Sequence, residues 1–326
     1  MTLNNKKLLI TGGAGFIGSN LIERFIGQNN EIICLDNLAT GKLKNIRRYF
    51  DHDKFTFIEA DIRDYDACRK AVDGVDVVLH QAAMGSVPRS IADPITTNDV
   101  NIGGFVNMIT ATKEAGVKRF VYAASSSTYG DHTALPKLED QIGRPLSPYA
   151  VTKYVNELYA KVFSDLYGIE TIGLRYFNVF GRRQDPNGAY AAAIPKFIKL
   201  LITYQSPYIF GDGMQSRDFT YIDNVIQANE LAATTVQMRS LNTVYNIAYG
   251  EATTVDELIE TLKEYLSEFD PRIADVESVK GEKRVGDILH SLASIDRARE
   301  LLGYDPEYDL RTGLKEAIRW YWENLK

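Results

Sequence analysis

The residues best suited to acid–base chemistry are a tyrosine and a lysine four positions apart. Tyr149 and Lys153 follow Ser147 and Pro148, a pair typical of a helix start, and this spacing places both side chains on one helix face. A tyrosine with the reference pKa of about 10 is a poor base at neutral pH. Because a neighbouring ammonium group favours the phenolate, we expect Lys153 to lower the pKa of Tyr149.

Since Tyr-x-x-x-Lys is common on exposed helices, its meaning depends on its surroundings. Three serines, Ser125, Ser126 and Ser127, lie at the end of an apolar run that we predict to be a strand. In a doubly wound parallel sheet, ligands bind beyond the carboxyl ends of the strands. We therefore expect these hydroxyl groups to share one site with Tyr149 and Lys153.

A glycine-rich segment near the start has the composition of a phosphate-binding turn. Gly12, Gly13, Gly15 and Gly18 satisfy both Gly-x-Gly-x-x-Gly and Gly-x-x-Gly-x-x-Gly, directly after an apolar run. Such glycines permit a tight turn and close approach of the backbone to a pyrophosphate, which the next helix N-terminus attracts. Asp36, which ends the second apolar run, would accept hydrogen bonds from a ribose and repel a 2′-phosphate. The pattern predicts NAD rather than NADP.

The elements that would position these groups are read from the hydrophobic pattern. Six apolar runs are typical of strands buried on both faces of a parallel sheet. They are Lys7–Thr11, Glu31–Asp36, Phe55–Asp61, Asp76–Ala82, Arg119–Ser125 and Thr171–Asn178. The amphipathic stretches are Ser19–Gln28, Asp66–Val72, Gly104–Ala115 and Val151–Leu166. This alternation predicts an α/β fold with a Rossmann-type doubly wound parallel sheet.

The pattern changes after Asn178. We predict an NAD-binding domain over residues 1–178 and a smaller mixed α/β substrate domain over 179–326, some of whose elements could return to the first domain. The predicted features of the second part are a loop over 181–195, a helix from Lys196, a turn at Gly211–Gly213, and helices at Asp223–Ala233, Val255–Ser267, Ile295–Leu302 and Leu310–Asn324.

Composition excludes several classes of protein. The chain has 326 residues, 45% of them hydrophobic and 25% charged, which is ordinary globular usage. No apolar run approaches the ~18 residues that span a bilayer, and the N-terminus lacks the apolar segment of a secretory signal. A net charge of −6 gives no basic footprint for nucleic acid. Two cysteines and four scattered histidines fit no metal spacing, so we expect no metal and a cytoplasmic location.

Together these motifs resemble the extended short-chain dehydrogenase/reductase superfamily over essentially the whole chain. Three longer segments are similar to the UDP-N-acetylglucosamine 4-epimerases of bacterial surface-polysaccharide pathways. These segments are Gly85–Ser90, Ala123–Gly130 and Leu174–Pro195. The resemblance implies that Tyr149 is the catalytic base, Lys153 its partner, and Ser125 the hydroxyl beside the sugar C4 oxygen.

The same resemblance implies the binding residues. Those expected at NAD are Gly12, Gly15, Phe16, Ile17, Gly18, Asp36, Asn37, Gly41, Asp61, Ile62, Gln81, Ala82, Ala83, Tyr149, Lys153 and Phe177. Those expected at a UDP-sugar are Gly85, Ser86, Ser125, Ser126, Tyr149, Asn178, Tyr208, Phe210, Arg217, Arg284, Asp287 and Ser291. The arginines suit a diphosphate because a planar guanidinium can form paired bonds. Phe210 is equally compatible with stacking on uracil and with simple packing.

The reaction implied by the resemblance inverts the sugar at C4. Tyr149 removes the proton of the 4-hydroxyl with Ser125 in the hydrogen-bond path, and a hydride passes from C4 to NAD. The 4-keto sugar then turns about its diphosphate link, and the hydride returns to its other face. NAD is regenerated in each cycle and would stay bound, with the protein supplying position and electrostatics.

The choice of sugar is less constrained than the reaction. UDP-galactose 4-epimerases carry a bulky tyrosine where this chain has Ser291, so the serine leaves room for an N-acetyl group beside Gly85 and Ser86. We expect interconversion of UDP-N-acetylglucosamine and UDP-N-acetylgalactosamine. Alternatives are the UDP-glucose/UDP-galactose pair, a UDP-N-acetylglucosaminuronate 4-epimerase, and an NAD-binding sensor or scaffold without activity. Related dehydratases carry carboxylic groups where this chain has Ser126 and Ser127.

The resemblance also implies a homodimer. Its interface would be a four-helix bundle formed by Gly104–Ala115 and Val151–Leu166 of each chain. Apolar helix faces equally serve a chain's own core, so the sequence leaves both possibilities open.

Overall fold

A seven-stranded parallel sheet forms the centre of this computed structural model, which describes residues 2–186, 192–282 and 289–325. Its strands are β1 (Lys7–Thr11), β2 (Glu31–Asp36), β3 (Phe55–Glu59), β4 (Val77–His80), β5 (Arg119–Ser125), β6 (Glu170–Tyr176) and β11 (Thr243–Ile247). They lie in the spatial order β11–β6–β5–β4–β1–β2–β3. The predicted Rossmann-type fold is confirmed.

Shorter strands build the C-terminal part. They are β7 (Val179–Phe180), β8 (Tyr208–Phe210), β9 (Ser216–Asp218), β10 (Thr220–Tyr221), β12 (Ala252–Thr254) and β13 (Val279–Gly281). They pair as β7 with β10, β9 with β12 and β8 with β13. β7 follows β6 directly along the chain, so its pair with β10 begins where β6 ends.

Helices connect and cover the strands. In the described part of the chain they are α1 (Phe16–Ile26), α2 (Tyr65–Ala71), α3 (Val87–Ala92), α4 (Pro94–Asn98), α5 (Phe105–Glu114), α6 (Pro148–Tyr167), α7 (Ala193–Ile202), α8 (Ile222–Thr234), α9 (Val255–Ser267), α10 (Asp296–Leu302) and α11 (Leu310–Asn324). α7 begins at Ala193 rather than at the predicted Lys196. The prediction was wrong because Pro195 lies in the first helical turn, where a missing N–H breaks no helical bond.

The sequence analysis missed β11. This strand pairs in parallel with β6, with Thr243 beside Ile172, although it follows β6 by a long stretch of chain. Its Val, Tyr and Ile content is typical of strands and was the available signal. Both β11 and α8 follow residue 178, yet they join the large sheet and its helical layer.

The large sheet is buried on both faces. Leu8 and Ile10 of β1 pack with α1 and α8 on one side, whereas Leu9 packs with α2, α5 and α6 on the other. The alternation follows from the two-residue period of a strand. The first of these cores continues into α7, α9 and α11, so the C-terminal part shares a core with the sheet.

Two findings on the described residues concern the membrane-spanning and metal-binding classes of protein. No helix there combines the length and apolar character needed to cross a membrane. The same residues contain no group of three or more His, Cys, Asp or Glu side chains arranged to hold a metal ion.

A buried ion pair joins α6 to β6. The guanidinium of Arg175 donates to both oxygens of Glu157, over 2.8 and 2.7 Å, and also to the carbonyl of Glu139. Only 3% of the Arg175 side chain and 7% of the Glu157 side chain are exposed. Because neither charge reaches water, each depends on the other.

We expect Glu157→Ala to lower the free energy of unfolding by about 3–5 kcal/mol, since it leaves the guanidinium buried without its carboxylate. Urea unfolding measures the change. Asp165→Ala, which removes the exposed Lys161–Asp165 pair on the same helix, is the control and should cost no more than ~0.5 kcal/mol. Equal losses in the two variants would contradict the role assigned to the buried pair.

Candidate active site

A cavity of about 710 Å³ runs along the carboxyl ends of the large sheet. The structure brings many of the predicted residues together in its lining. These are Gly12, Gly15, Phe16, Ile17, Gly18, Asp36, Asn37, Asp61, Ile62, Gln81, Ala82, Ala83, Gly85, Ser86, Ser125, Tyr149, Lys153 and Asn178. Most of them follow the ends of six different strands, which the parallel topology brings together, whereas Tyr149 and Lys153 come from α6.

The glycine-rich turn joins β1 to α1 and shapes one end of the cavity. Gly12 has φ +66°, and a Cβ there would lie 2.8 Å from the backbone of Ala82. A Cβ on Gly18 would lie 2.2 Å from the carbonyl oxygen of Gly12, so only glycine lets the helix approach the turn. α1 begins directly after Gly15, with no side-chain cap and no acidic residue in its first turn. Its N-terminus therefore faces the cavity with the partial positive charge that attracts phosphate.

Asp36 lies beside this turn at the end of β2. Its carboxylate accepts hydrogen bonds from the backbone N–H of Ala14 at 2.9 Å and of Leu38 at 2.8 Å. Burial raises its pKa, while these two hydrogen bonds oppose that shift. Gly41 packs against the carboxylate, because a Cβ there would lie 2.8 Å from Oδ1. The carboxylate is thus held in place with acceptor capacity left for a diol.

Asp61 marks the outer end of the same cavity. It accepts hydrogen bonds from Asn37 at 2.7 Å and from the guanidinium of Arg63. The bond from Arg63 is the main reason that the pKa of Asp61 is lowered to about 2. Asp61 is therefore a carboxylate at neutral pH, close to Asn37 and Ile62.

Tyr149 and Lys153 project from the first turns of α6. Ser147 caps this helix, its Oγ accepting from the N–H of Ala150 at 3.1 Å, and Pro148 occupies the first position. Ser90 accepts the N–H of Tyr149 at 3.0 Å and ties the helix start to α3. Lys153 Nζ donates to the carbonyl of Ala123 on β5 at 2.8 Å and lies 6.0 Å from the centre of the Tyr149 ring.

The pKa values of this pair differ from the expectation. Burial raises the pKa of Tyr149, and the hydrogen bond with Ser125 only partly opposes it. Burial also lowers the pKa of Lys153 to about 8, against the attraction of Glu157. The prediction that Lys153 lowers the pKa of Tyr149 is not met here, because desolvation outweighs the nearby ammonium. The oxidised nicotinamide of NAD is positively charged, and its binding near Tyr149 would favour the phenolate.

Ser127 orients Ser125. The Oγ of Ser125 accepts hydrogen bonds from the hydroxyl of Ser127 at 2.9 Å and from its backbone N–H at 3.2 Å. With two donors aimed at this oxygen, the proton of Ser125 is left to be donated towards Tyr149. A substrate oxygen between Ser125 and Tyr149 would meet a hydroxyl of fixed direction.

Several predicted residues lie elsewhere. Phe177 is fully buried against Tyr129 in the core and does not line this cavity, so its expected contact with the cofactor stays a prediction. Gly41 lies behind Asp36, and Ser126 is also outside the lining. The other predicted residues outside the lining are Tyr208, Phe210, Arg217 and Ser291, on β8, β9 and the segment that follows residue 288. Arg284 and Asp287 fall outside the described residues.

The cavity also includes residues that the sequence analysis did not select. Arg89 and Thr96 come from α3 and α4, and Gln184 and Asp185 come from the loop after β7. Asp185 pairs with Lys42, which connects that loop to the segment after β2. Ser86 lines the cavity with φ 92°, a backbone strain often found at functional sites. No motif marks these positions, because loops on different elements meet only in the folded chain.

The residues present fit a dinucleotide. The glycine turn permits close backbone approach, the α1 N-terminus suits a pyrophosphate, and the Asp36 carboxylate suits a ribose without a 2′-phosphate. Tyr149, Lys153 and Ser125 lie further along the same cavity. A Rossmann-type sheet with this triad defines a short-chain dehydrogenase/reductase.

Comparison with known proteins agrees with this class. Residues 8–248 match the NAD-dependent epimerase/dehydratase family. A putative UDP-glucose 4-epimerase of Methanocaldococcus jannaschii is 40% identical, over 97% of this chain and 99% of the relative. The chain belongs to the NAD-dependent epimerase/dehydratase family, and it is an NAD-dependent enzyme.

Two solved structures are similar throughout. A UDP-N-acetylglucosamine 4-epimerase from Methanobrevibacter ruminantium, in complex with UDP-N-acetylmuramic acid, has a TM-score of 0.91 and 38% identity over 98% of this chain and 99% of that one. A UDP-glucose 4-epimerase of Thermotoga maritima with UDP-glucose has a TM-score of 0.90 and 34% identity, over 98% and 100%. The predicted superfamily and cofactor are confirmed.

Removing the Ser127 hydroxyl should free the Ser125 hydroxyl to rotate. We expect Ser127→Ala to lower kcat by about 2- to 10-fold, the effect of one net hydrogen bond, with little change in KM. Ser127→Thr, which keeps a hydroxyl, should restore the rate. Ser267→Ala removes a similar bond on α9 and is the control. A kcat for Ser127→Ala equal to that of the control would show that Ser125 needs no orientation.

Proposed function

We propose that this enzyme is a UDP-sugar 4-epimerase whose main substrates are UDP-N-acetylglucosamine and UDP-N-acetylgalactosamine. The observation that carries the proposal is that Ser125, Tyr149 and Lys153 line the same cavity as the groups that fit NAD. A substrate hydroxyl beside Ser125 and Tyr149 could give its proton to Tyr149 while it accepts a hydrogen bond from Ser125. The similarity to 4-epimerases over the whole chain supports the same reaction.

The residues assigned to NAD form separate groups along the cavity, each suited to a different part of the cofactor. Asp36 would accept hydrogen bonds from the adenosine ribose, and Asp61 with Ile62 would meet the adenine end. Gly15, Phe16 and Ile17 would meet the pyrophosphate with backbone N–H groups. Lys153, whose Nζ is held by the carbonyl of Ala123 and lies 6.0 Å from the centre of the Tyr149 ring, would be a donor for the ribose of the nicotinamide.

In the proposed reaction, the residues of this chain transfer the proton of the sugar 4-hydroxyl. Tyr149 accepts the proton of the sugar 4-hydroxyl, and Ser125 donates a hydrogen bond to the same oxygen during the transfer. NAD, held by the glycine turn and Asp36, would supply the acceptor and later the donor of the hydride at C4. Tyr149 then gives the proton back to O4 of the inverted sugar. Because the same groups serve both directions, the reaction is readily reversible.

Burial of the acid–base pair has a further effect. Lys153 is buried and Tyr149 is half-buried, so water competes less than in the open for the proton and for the keto group formed at C4. The raised pKa of Tyr149 favours the phenol when no other positive charge is near. This links deprotonation of Tyr149 to the positive charge that NAD adds to the cavity.

Side chains beside the acid–base pair argue against elimination chemistry. A 4,6-dehydratase needs a carboxylic acid and base after the hydroxyl at the end of β5, and this chain has Ser126 and Ser127 there. Ser127 instead donates its hydroxyl to Ser125. The retained Tyr149, Lys153 and Ser125 likewise favour an enzyme over an NAD-binding sensor or scaffold.

The preference for an acetamido sugar rests on small residues. Gly85 lines the cavity, and no atom lies within 4 Å of a Cβ built on it, which leaves open space there. Ser291 has a small side chain, and its backbone N–H donates a hydrogen bond to the carbonyl of Ser216 at 3.1 Å. The UDP-glucose/UDP-galactose pair is the second candidate, since one of the similar structures contains UDP-glucose.

The substrate assignment is tested with purified enzyme and four UDP-sugars. We expect wild type to interconvert the two acetamido sugars with a higher kcat/KM than UDP-glucose and UDP-galactose. Ser291→Tyr should lower kcat/KM for the acetamido pair at least ~10-fold relative to the hydroxyl pair, because the phenol fills the space of the acetyl group.

Two controls accompany this measurement. Ser291→Ala removes the hydroxyl without adding bulk and should leave the preference unchanged, and Tyr149→Phe should keep NAD but lose ~10²–10⁴-fold in rate. An unaltered preference in Ser291→Tyr would show that Ser291 does not determine which sugar is accepted. Conversion of none of the four sugars by wild type would overturn the assignment of these substrates.

We also propose that two copies of the chain associate through α6. Val151, Leu158, Val162 and Leu166 form an apolar stripe on this helix, and between 45 and 68% of each residue is exposed. Ile95 of α4, which packs beside α6, is 74% exposed. Such a contiguous apolar surface is costly in water, and a second copy of the same face would cover it.

Charged substitutions test this dimer. We expect wild type to sediment at twice the 36.6-kDa chain mass, and Leu158→Glu with Leu166→Glu to sediment as a monomer. Val236→Glu, at a residue 73% exposed outside this surface, should remain dimeric. A dimer that persists in the double variant would place the interface elsewhere.

A further inference from the structure

One fully buried carboxylate is not used by the reaction described above. Asp218, at the end of β9, has no exposed surface. Its oxygens accept hydrogen bonds from the backbone N–H groups of Tyr249 at 3.2 Å, Gly250 at 3.2 Å and Ala293 at 3.2 Å. A single side chain therefore joins three segments that are distant in sequence.

Those segments carry residues assigned to the UDP-sugar. Arg217 precedes Asp218 on β9, and Ser291 lies two positions before Ala293. The carbonyl of Asp218 itself accepts a hydrogen bond from Asn178 Nδ2 at 2.9 Å. Asn178 lines the cavity and has φ 34°, a conformation that needs support from its neighbours. Asp218 is thus adjacent to Arg217, bonded through its carbonyl to Asn178, and bonded through its carboxylate to Ala293, two residues after Ser291.

The segment at 289–293 lies along β9. The N–H of Ser216 donates to the carbonyl of Leu289 at 2.9 Å, and the N–H of Ser291 donates to the carbonyl of Ser216 at 3.1 Å. Arg217 also donates to the carbonyl of Leu289, at 3.2 Å. Ala293 is the next point of attachment, and there the acceptor is the Asp218 carboxylate. This bond joins the end of the segment to the interior of the fold.

We propose that Asp218 is a positioning residue that fixes the sugar-nucleotide half of the site, by holding the 289–293 segment and Asn178 in register with Arg217. The inference rests on the proposed binding of a UDP-sugar. The carboxylate contacts neither the acid–base pair nor the cavity that fits NAD. Its effect is on where Arg217, Asn178 and Ser291 lie relative to one another.

The chemistry of the group supports this role. Burial raises the pKa of Asp218 to about 7, although three N–H donors stabilise its charge. Keeping a carboxylate in such an environment is unfavourable unless its several acceptor sites are needed. An amide of the same shape has one oxygen and would turn an NH₂ group towards at least one backbone donor. Asp218→Asn therefore weakens the hydrogen bonds from Tyr249, Gly250 and Ala293, while the volume of the side chain hardly changes.

The test compares Asp218→Asn with a control at another buried carboxylate. Glu230 accepts the N–H of Leu3 on the far side of the sheet and also bonds Gln28, away from the cavity. Calorimetry measures the Kd of UDP, steady-state assays give KM and kcat for UDP-N-acetylglucosamine, and the bound NAD is quantified after denaturation. Thermal unfolding follows the stability of both variants.

For Asp218→Asn, we expect Kd and KM to rise about 10- to 100-fold, the ratio produced by losing a hydrogen bond to a charged group. kcat at saturation and NAD content should stay close to wild type. Glu230→Gln should lower the melting temperature without changing Kd or KM. A Kd and KM within twofold of wild type in Asp218→Asn, or a loss confined to kcat or NAD, would overturn the proposal.

A measurement on wild type covers the case in which Asp218→Asn does not fold. Hydrogen exchange at residues 289–293 should slow when UDP is added, while exchange in β1 and α1 should not change. Unaltered exchange at 289–293 in protein that binds UDP would show that this segment is not part of the half-site. Wild type that binds no UDP would instead contradict the proposed function, so the two failures are distinguishable.

Discussion

The parallel direction of all seven strands is the constraint on which the site depends. Parallel strands end at the same edge, and the loops that follow them must meet there. β1 contributes the glycine turn, β2 contributes Asp36, and β5 contributes Ser125. Residues from six strand ends thus line one cavity although they are spread along half of the chain. Both faces of the sheet are covered by helices, so this edge is where the fold leaves a cleft.

The cleft and the segments around it contain buried polar groups, and the fold satisfies most of them with its own backbone. Lys153 donates to the Ala123 carbonyl, Asp36 accepts from Ala14 and Leu38, and Asp218 accepts from three N–H groups. A backbone group held in a sheet or turn cannot rotate away, and so it fixes the side chain that bonds to it. This places the acid–base groups precisely without placing an opposite charge against them. Arg175 and Glu157, one layer behind, instead satisfy each other.

The two halves of the site are built differently. The half that fits NAD lies on the ends of the large sheet, supported by the main core. The half proposed for the sugar nucleotide is formed by short strands and by the 289–293 segment. Reaction at both faces of C4 requires the sugar to turn while its diphosphate stays bound. A separately supported half-site can hold the nucleotide during that turn without disturbing Tyr149.

The sequence by itself determined the class of fold, the glycine turn, Asp36 and the Tyr149/Lys153 pair, because each is a local pattern with a fixed period or spacing. Tertiary structure decided what depends on distant contacts. β11 joins the sheet only through pairing with β6, Phe177 is buried because its neighbours fill the core around it, and the pKa of Tyr149 follows burial more than the nearby Lys153. Arg89, Gln184 and Asp185 reach the cavity on separate loops, and Asp218 connects three segments at once. A sequence motif records spacing along the chain, whereas desolvation and long-range hydrogen bonds depend on which segments the fold brings together.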